Sequence, residues 1–508
     1  MRRAVRGRAG IARGACSTGG NVVASQAVGR PRRGTLLAPA APTRRVTRRR
    51  VPTSVPPSLC SISGTVVVLV DGEHHPPVLQ AAIDELCAAG ARVVGAADLG
   101  GEEKRGTAAT GLSVEVVHAE GPIGSLVAAL DRFAPNAVVD LSDAPVVDGP
   151  TRALLAAHAL VRGVEYRGAD FVFYPPPRPR MAAKPSIAVI GTAKRAGKTA
   201  VAAAAARTLT SAGRRPVLVT MGRGGPPEPE VIDPATTSLD PAALLARAAA
   251  GRHAASDHLE DAVTSGVVTI GTRRAGGGLA GTPAASTFPA GVELANARPE
   301  ELVVLAGSGT AIPPVHADAT ICVVPGAADA ALALDHLGAL RVLLADLVVV
   351  TVVPVPPPSG VAALPDPADL IDRVRSIAPR VPVLSSLLRP WPLEPVEGRS
   401  VFFATTAPET VAAWQASELA SRHGARISGW TGDLARRDRL ERALASAEAE
   451  VLVTELKAGA VEVAARAALD RGMEVVFCDN RPDPPEAFDA AVLTIADRAA
   501  EQFAMGAP

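Results

Sequence analysis

The most constraining feature of the sequence is a short apolar run that leads through a glycine-bearing turn into a long alanine-rich stretch. The run SIAVIG (186–191) is typical of a buried strand, GTAKRAGKT (191–199) of a tight turn, and TAVAAAAARTL (199–209) of a helix. Such a turn directs its backbone amides and the positive end of the helix dipole at one point. The sequence therefore predicts a parallel α/β sheet with an anion site at the end of this strand.

The end of the turn matches the phosphate-binding pattern GxxxxGK[ST]. Gly197 permits close backbone approach, Lys198 can reach the β and γ phosphates, and the Thr199 hydroxyl is a candidate magnesium ligand. The opening glycine of the pattern would fall on Thr192, so Gly191 stands one position early. We predict that ATP or a similar nucleoside triphosphate binds to Gly191, Thr192, Ala193, Arg195, Ala196, Gly197, Lys198, Thr199 and Ala200.

Lysine has almost vanished from the chain in favour of arginine. Arginine can replace lysine on a solvated surface, but not where a compact ammonium must fit between phosphate oxygens. The lysines that remain are therefore functional candidates: Lys104, Lys184, Lys194, Lys198 and Lys457. Lys194 could bring a second ammonium to a transferred phosphate or be a solvated loop residue, and chance survival explains Lys184 and Lys457 equally well.

The chain has 508 residues, 48% of them hydrophobic, which is enough for several domains. Val-rich runs that alternate with amphipathic stretches predict a Rossmann-like parallel-sheet domain over 63–178. The proline-rich segment YPPPRPRMAAKP separates it from a P-loop domain over 184–395. A third α/β portion over 399–508 starts at SVFFATT and ends with the apolar run AAVLTIA. We predict a multi-domain α/β protein.

The head of the chain differs in composition from the rest. Residues 1–62 are rich in arginine and have no acidic residue, so we predict a disordered leader. It is either a transit peptide or the translation of GC-rich DNA upstream of the true start.

The acidic remainder of the chain argues against nucleic acid partners. No apolar stretch of about 18 residues predicts a membrane span, and the five scattered cysteines fit a reducing cytoplasm.

Charged residues concentrate in loops that follow the apolar runs, where the carboxyl ends of parallel strands hold ligands. One group consists of cations beside glycines, in segments too flexible to be chosen for packing: Lys104, Arg105, Arg223, Arg273 and Arg274. A second group could bind a substrate, move protons or form only a structural turn: Asp71, Glu73, His74 and His75. A zinc site there would lack further ligands.

The GTxxxxGKT form of the turn resembles the loop of dethiobiotin synthetase and related P-loop ligases. A wider set of segments, in order, resembles the cyclic 2,3-diphosphoglycerate synthetase family from about Thr65 onward: DGEHHPPV, GGEEKR, MGRGGPPEPEVI, ASDHLEDAVTSGVVTIGTRRAGGGLAGTP, AGSGTAIPPV, VTELKAGAVEVA and CDNRP. The resemblance implies an ATP-dependent ligase. It would join the two phosphates of 2,3-diphosphoglycerate in an intramolecular phosphoanhydride and release ADP and phosphate.

Roles for the candidate residues follow from this chemistry, which needs positioning and cations. We predict Lys194, Lys198 and Arg273 as catalytic. The predicted ligands of a polyanionic small-molecule substrate are Asp71, Glu73, His74, Lys104, Arg105, Arg223 and Arg274. Thr199, Glu228 and Glu230 are the predicted Mg²⁺ ligands. The resemblance also implies a glutamate before GxG where this chain has Ala306. Either Glu228, Glu230 or Asp233 replaces that carboxylate through water, or the activity is altered or absent.

Two other functions remain open on the sequence alone. The same ligase machinery could act on another small phosphorylated or carboxylated acid. Alternatively, the chain could be a regulatory or metallochaperone-like NTPase that synthesises nothing, although no clustered His and Cys residues favour metal delivery. Related ligases suggest a possible homodimer.

Overall fold

The apolar runs become strands of two sheets in the computed structural model, which describes residues 56–59, 62, 64–101, 111–326, 333–334, 337–352 and 367–506. The predicted leader lies outside these ranges except for 56–59 and 62. The strands are β1 Thr65–Val70, β2 Arg92–Asp98, β3 Val116–Val117, β4 Ala137–Asp140, β5 Glu165–Arg167, β6 Val172–Phe173, β7 Ser186–Gly191, β8 Pro216–Gly222, β9 Glu230–Ile232, β10 Thr269–Ala275, β11 Ala285–Ser286, β12 Leu302–Ala306, β13 Ala319–Pro325, β14 Leu347–Val352, β15 Val383–Pro392, β16 Ser400–Ala404, β17 Arg426–Thr431, β18 Val451–Thr454 and β19 Glu474–Asp483.

Helices fill most of the connections between these strands. The α-helices span Pro76–Ala88, Gly121–Phe133, Gly149–Val161, Lys198–Ser211, Pro241–Ala249, Asp257–Ser265, Phe288–Asn296, Gly338–Leu343, Pro367–Ile377, Glu409–His423, Arg437–Ala445, Arg466–Asp470 and Pro485–Gly506. A 3₁₀ turn spans Pro57–Leu59 and a π-helical turn spans Ala460–Ala465.

The first sheet has the strand order β3-β2-β1-β4-β5-β6. Strands β1 to β5 are parallel and β6 is antiparallel to β5. Helix Pro76–Ala88 packs on one face of β1, and helices Gly121–Phe133 and Gly149–Val161 pack on the other. Because both faces are covered, β1 is a continuous valine-rich run. This strand order is that of a Rossmann sheet, which confirms the Rossmann-like prediction.

The second sheet is built around β7, with β12 and β8 on one side and β13, β14 and β15 on the other, all parallel. Helix Lys198–Ser211 lies against it, and Val201, Ala205 and Leu209 of this helix are fully buried. Alanine side chains allow the close approach of helix and sheet, which explains the alanine-rich composition. The α/β fold with a P-loop domain is confirmed.

The second sheet continues into the C-terminal portion of the chain. Strand β15 pairs antiparallel with β19 over Leu387↔Asp483 to Pro392↔Cys478, and β19 then pairs with β18, which leads on to β16 and β17. Within the described residues the sheet has 13 strands. It therefore runs across the boundary predicted between 395 and 399, because the ten-residue strand β19 pairs with β15 through its second half and with β18 through its first.

The last apolar run, AAVLTIA, is not a strand as its composition suggested. It lies inside helix Pro485–Gly506, which buries Phe488, Val492, Ile495, Ala496 and Ala499. This spacing of three and four residues is helical and extends beyond the run on both sides, so it overrides the β propensity of the valine and isoleucine. Neither this helix nor any other in the described part of the chain is long and apolar enough to cross a membrane.

His158 makes the stability of the fold depend on pH. Its imidazole is partly buried on helix Gly149–Val161, and burial lowers the pKa to about 4. Unfolding restores a pKa near 6.5, so the unfolded chain binds a proton first and stability falls as the pH drops from 6.5 towards 4. Between about pH 7.5 and 4.5, the wild type should lose about 2 kcal/mol more than His158→Gln in urea unfolding. Equal losses in the two proteins would contradict this.

Candidate active site

Two glycines shape the phosphate-binding turn, and a Cβ at either position would collide with neighbouring atoms. Gly197 has φ +96°, and a Cβ there would lie 2.5 Å from Leu388 Cδ1. A Cβ on Gly191 would lie 2.9 Å from the backbone oxygen of Val323 and 3.0 Å from Lys198 Cδ. The early glycine of the pattern therefore makes room for the lysine stem, and the second starts helix Lys198–Ser211 from a left-handed backbone.

Lys198 is held inside the turn. Its side chain is buried and Nζ donates a hydrogen bond to the Ala193 carbonyl at 2.7 Å. Burial lowers its pKa to about 8, and the carboxylate of Asp257 offsets part of this. A phosphate group offers the same ammonium a charged acceptor in place of a neutral one, which gives a stronger hydrogen bond.

A cavity of about 400 Å³ opens beside this turn. Loops from the P-loop half and from the C-terminal half of the second sheet line it: Lys194, Arg195, Ala196, Gly197, Lys198, Thr199, Arg223, Gly224, His253, Ala255, Ser256, Asp257, Gly307, Ser308, Gly309, Thr406, Ala435, Lys457 and Ala458. We call it the P-loop cavity. Five of the predicted nucleotide contacts line it, from Arg195 to Thr199. Gly191, Thr192, Ala193 and Ala200 do not line it.

A carboxylate that the sequence reasoning missed faces the P-loop cavity. Asp257 is the first residue of helix Asp257–Ser265, and its Oδ2 lies 3.4 Å from Ser308 Oγ. Ser308 follows β12, two residues after Ala306, which is buried against apolar neighbours. Asp257 therefore places a carboxylate next to the loop after β12, where the family resemblance implied a glutamate. An acid at a helix start is a common capping residue, so sequence alone gave it no weight.

The structure separates the predicted arginines. Arg223 lines the P-loop cavity. Arg274 is buried beside it and donates to the carbonyls of Ser308 at 2.9 Å and Gly276 at 2.5 Å, which holds the loop after β12 in place. Arg273 points the other way, because alternate residues of β10 face opposite sides of the sheet, and it is exposed and does not line the cavity.

The acidic residues predicted to bind metal lie elsewhere. Both carboxylate oxygens of Glu230 contact Arg247, one of them at 2.8 Å. Hydrogen bonds from His258 and Arg247 hold the pKa of Glu230 well below its usual range. Glu228 is exposed, and Asp233 caps the turn that follows β9 through the Ala235 amide at 3.0 Å. None of the three lines the P-loop cavity.

The DGEHH segment forms a tight turn after β1. The buried carboxylate of Asp71 accepts from His74 Nδ1 at 2.7 Å and from the backbone amide of Asp143 at 2.7 Å, and it also accepts from the amides of Glu73 and His74. Gly72 N donates to Gly100 O at 2.7 Å, so this turn adjoins the start of GGEEKR. Lys104 and Arg105 lie outside the described residues. Asp71, Glu73 and His74 do not line the P-loop cavity, and their substrate role stays a prediction.

Beneath the P-loop cavity lies a chain of buried polar groups that joins the two halves of the second sheet. Lys457 Nζ lies 2.8 Å from Glu260 Oε1 and 3.8 Å from Glu455 Oε1. Glu455 accepts from Asn480 Nδ2 at 2.6 Å and from the Thr406 amide at 2.8 Å. The sequence marks Lys457 only as one of the few remaining lysines and does not reveal these partners.

A larger cavity of about 590 Å³ adjoins the first and shares Arg195, Thr406 and Ala435 with it. We call it the C-terminal cavity, because loops after β16, β17 and β18 form it: Thr406, Ala407, Pro408, Glu409, Trp430, Thr431, Gly432, Asp433, Ala435, Arg436, Arg439 and Glu455. Arg436 pairs with Asp433 at 2.6 Å, whereas Arg439 lies 4.0 Å from the same carboxylate. The two cavities together can hold a nucleotide and a second small molecule.

A strand, a GKT turn and a helix that close a lysine-lined cavity at the carboxyl edge of a parallel sheet define a P-loop protein. Three family models match along the chain. They are described as the cyclic 2,3-diphosphoglycerate synthetase N-terminal domain over 65–174, P-loop domain over 186–386 and C-terminal domain over 392–481. The chain belongs to the cyclic 2,3-diphosphoglycerate synthetase family.

Similar proteins of this name occur in several organisms. The chain is 42% identical over 432 residues to the protein of Rubrobacter xylanophilus, covering 84% of this chain and 96% of that protein. It is 43% identical over 425 residues to the protein of Thermococcus gammatolerans, covering 82% and 93%. Among solved structures, LpxK from Aquifex aeolicus, crystallised with ATP, is 12% identical with a TM-score of 0.36, covering 63% of this chain and 90% of that one.

Proposed function

We propose that this chain is an ATP-dependent ligase that converts 2,3-diphosphoglycerate to its cyclic phosphoanhydride and releases ADP and phosphate. The observation that carries the proposal is the P-loop cavity, where Lys194, Lys198 and Lys457 meet next to a second cavity large enough for a small acid. Membership of the synthetase family supports the choice of substrate and product. A cytoplasmic location and a homodimer stay predictions.

The reaction proceeds in two displacements. An oxygen of one substrate phosphate attacks the γ phosphorus of ATP, the bond to the β-phosphate oxygen breaks, and ADP leaves. An oxygen of the second substrate phosphate then attacks the activated phosphorus of the first and expels inorganic phosphate, which closes the ring. Both lysines line the same cavity, and we assign Lys198 to the charge on the β and γ phosphates and Lys194 to a second contact with the transferred phosphate.

The residues around the P-loop cavity fit a magnesium ion. The available donors are hard oxygens, the Thr199 hydroxyl and the Asp257 carboxylate, which both line the cavity. The described residues hold no cluster of three or more His, Cys, Asp or Glu suited to a metal by itself. Magnesium typically takes one or two protein ligands and completes its shell with phosphate and water. When bound, the ion would neutralise charge on the phosphates, and we assign Thr199 and Asp257 to it.

The C-terminal cavity is the proposed substrate site, because it adjoins the P-loop turn through Arg195 and is also lined by Arg436 and Arg439. Arg439→Ala should raise KM for 2,3-diphosphoglycerate about tenfold while KM for ATP changes less than twofold, since one charge-assisted contact to phosphate is lost. Steady-state kinetics with each substrate varied in turn measures both values. Arg442→Ala, an exposed arginine on the same helix outside the cavity, is the matched control. A raised KM for ATP would place the nucleotide there instead.

The function itself is tested by product analysis. Purified protein with ATP, Mg²⁺ and 2,3-diphosphoglycerate should yield a product lighter than the acid by one water, with one ADP and one phosphate for each product molecule. Mass spectrometry and a coupled ADP assay measure these quantities. ATP hydrolysis at the same rate without the acid, and without a cyclic product, would contradict the proposal and indicate an NTPase that synthesises nothing.

A further inference from the structure

Lys457 shares a cavity with the two lysines of the phosphate-binding turn, although it belongs to the C-terminal portion of the chain. It lies in the loop after β18, and its neighbour Ala458 has φ +50°, a left-handed backbone that is strained for a residue other than glycine. Four lysines fall within the described ranges, and three of them line the P-loop cavity. In a chain that uses arginine almost everywhere else, this convergence singles out Lys457.

The side chain of Lys457 is fixed without being enclosed. Nζ contacts Glu260 Oε1 at 2.8 Å, and 27% of the side chain remains accessible from the cavity. An ammonium has three donors, so the contact with Glu260 leaves others for a ligand. Lys184 provides the contrast. Its ammonium donates to two carbonyl oxygens, of Ala295 at 2.8 Å and of Arg298 at 2.5 Å, and it lines neither cavity.

The surroundings of Lys457 keep its ammonium charged. Glu260 and Glu455 on one side raise the pKa of Lys457 above its usual range, so the ammonium stays protonated at neutral pH. Glu260 Oε2 has no hydrogen-bond partner among the described residues. Helix Asp257–Ser265 carries both Glu260, which contacts Lys457, and Asp257, which lines the cavity. One helix therefore positions both groups.

We propose that Lys457 is a catalytic residue whose ammonium contacts the phosphoryl group during its transfer, with Glu260 as the residue that positions it. The inference rests on the proposed function and deepens it. A cation supplied from outside the phosphate-binding turn stabilises the charge that spreads over the transferred group, as an arginine does in many P-loop enzymes. The C-terminal portion would thus complete the active site of the P-loop portion.

A transition-state analogue separates this role from that of substrate binding. Lys457→Met should bind Mg²⁺ and ADP within about twofold of the wild type but lose the tight trapping of ADP by aluminium fluoride, which mimics the transferred phosphoryl group. Its kcat should fall about 10²- to 10³-fold, and Lys457→Arg should recover part of it. Lys184→Met is the matched control and should trap ADP and turn over like the wild type.

Wild-type trapping and kcat in a folded Lys457→Met would overturn the proposal, with thermal unfolding as the check of the fold. If Lys457→Met does not fold, Lys457→Gln, which also removes the charge, takes its place, and normal kcat and trapping in that variant would likewise overturn the proposal. Glu260→Gln should lower kcat without changing KM for ATP. Trapping that depends on Lys457 in a protein that makes no cyclic product would reject the proposed substrate and keep the role of Lys457.

Discussion

Lys198→Met is expected to lower turnover at least about 10³-fold while the protein stays folded. The ammonium is buried in the phosphate-binding turn, where it donates a hydrogen bond to the neutral Ala193 carbonyl. Methionine keeps the volume of the stem against Gly191 and removes the charge. Removing a buried charge whose pKa is lowered by desolvation should leave the melting temperature unchanged or higher. Turnover and thermal unfolding measure the two effects.

The same lysine gives a pH signature for nucleotide binding. Its pKa of about 8 in the free protein means that the ammonium loses its proton as the pH rises above 8. Phosphate binds the protonated form, so nucleotide affinity should fall above that pH in the wild type and stay flatter in Lys198→Met. An active Lys198→Met protein would remove the turn from the mechanism, and parallel pH profiles would assign the titration to another group.

Asp257→Asn is expected to raise the Mg²⁺ concentration for half-maximal activity at least about tenfold. The change keeps the size of the side chain and its contact with Ser308, but an amide is a much poorer ligand for a hard cation. Activity titrated with Mg²⁺ at fixed ATP gives the midpoint. Glu228→Gln is the control, because Glu228 is exposed and lies outside the P-loop cavity, and its midpoint should not move.

The reverse outcome would be equally informative. A shifted Mg²⁺ midpoint in Glu228→Gln together with a normal one in Asp257→Asn would support the metal ligand that the sequence suggested. It would require the loop after β8 to move towards the phosphate-binding turn when the nucleotide binds.

The sequence predicted the features that depend on neighbouring residues. The strand, turn and helix from Ser186 to Ser211 follow from a local pattern, and the valine-rich runs mark the strands of both sheets because parallel strands are buried on both faces. The resemblance to the family rested on segments along almost the whole chain. The composition of AAVLTIA favours a strand, but the run lies in a helix. A short apolar run does not distinguish a strand from the buried face of a helix.

The sequence could not predict contacts between distant segments. Lys457 lines the P-loop cavity because β15 and β19 pair and bring the last quarter of the chain back over the turn, whereas Asp257 reaches the same cavity from helix Asp257–Ser265, between β9 and β10. No local pattern encodes that pairing. Glu230, in contrast, stands in a suitable loop, but Arg247 from a later helix contacts both of its oxygens. The scarcity of lysine was the signal that could have identified Lys457.

Strand β15 contributes to the P-loop half of the sheet and β19 to the C-terminal half, and their hydrogen bonds join the walls of the two cavities. A hinge that swings one half away from the other would have to break this ladder, which costs far more than moving loops. Substrates must therefore come and go through loop rearrangement. For the same reason, a protein truncated after β15 would expose β15 as an unpaired edge strand, which is prone to self-association.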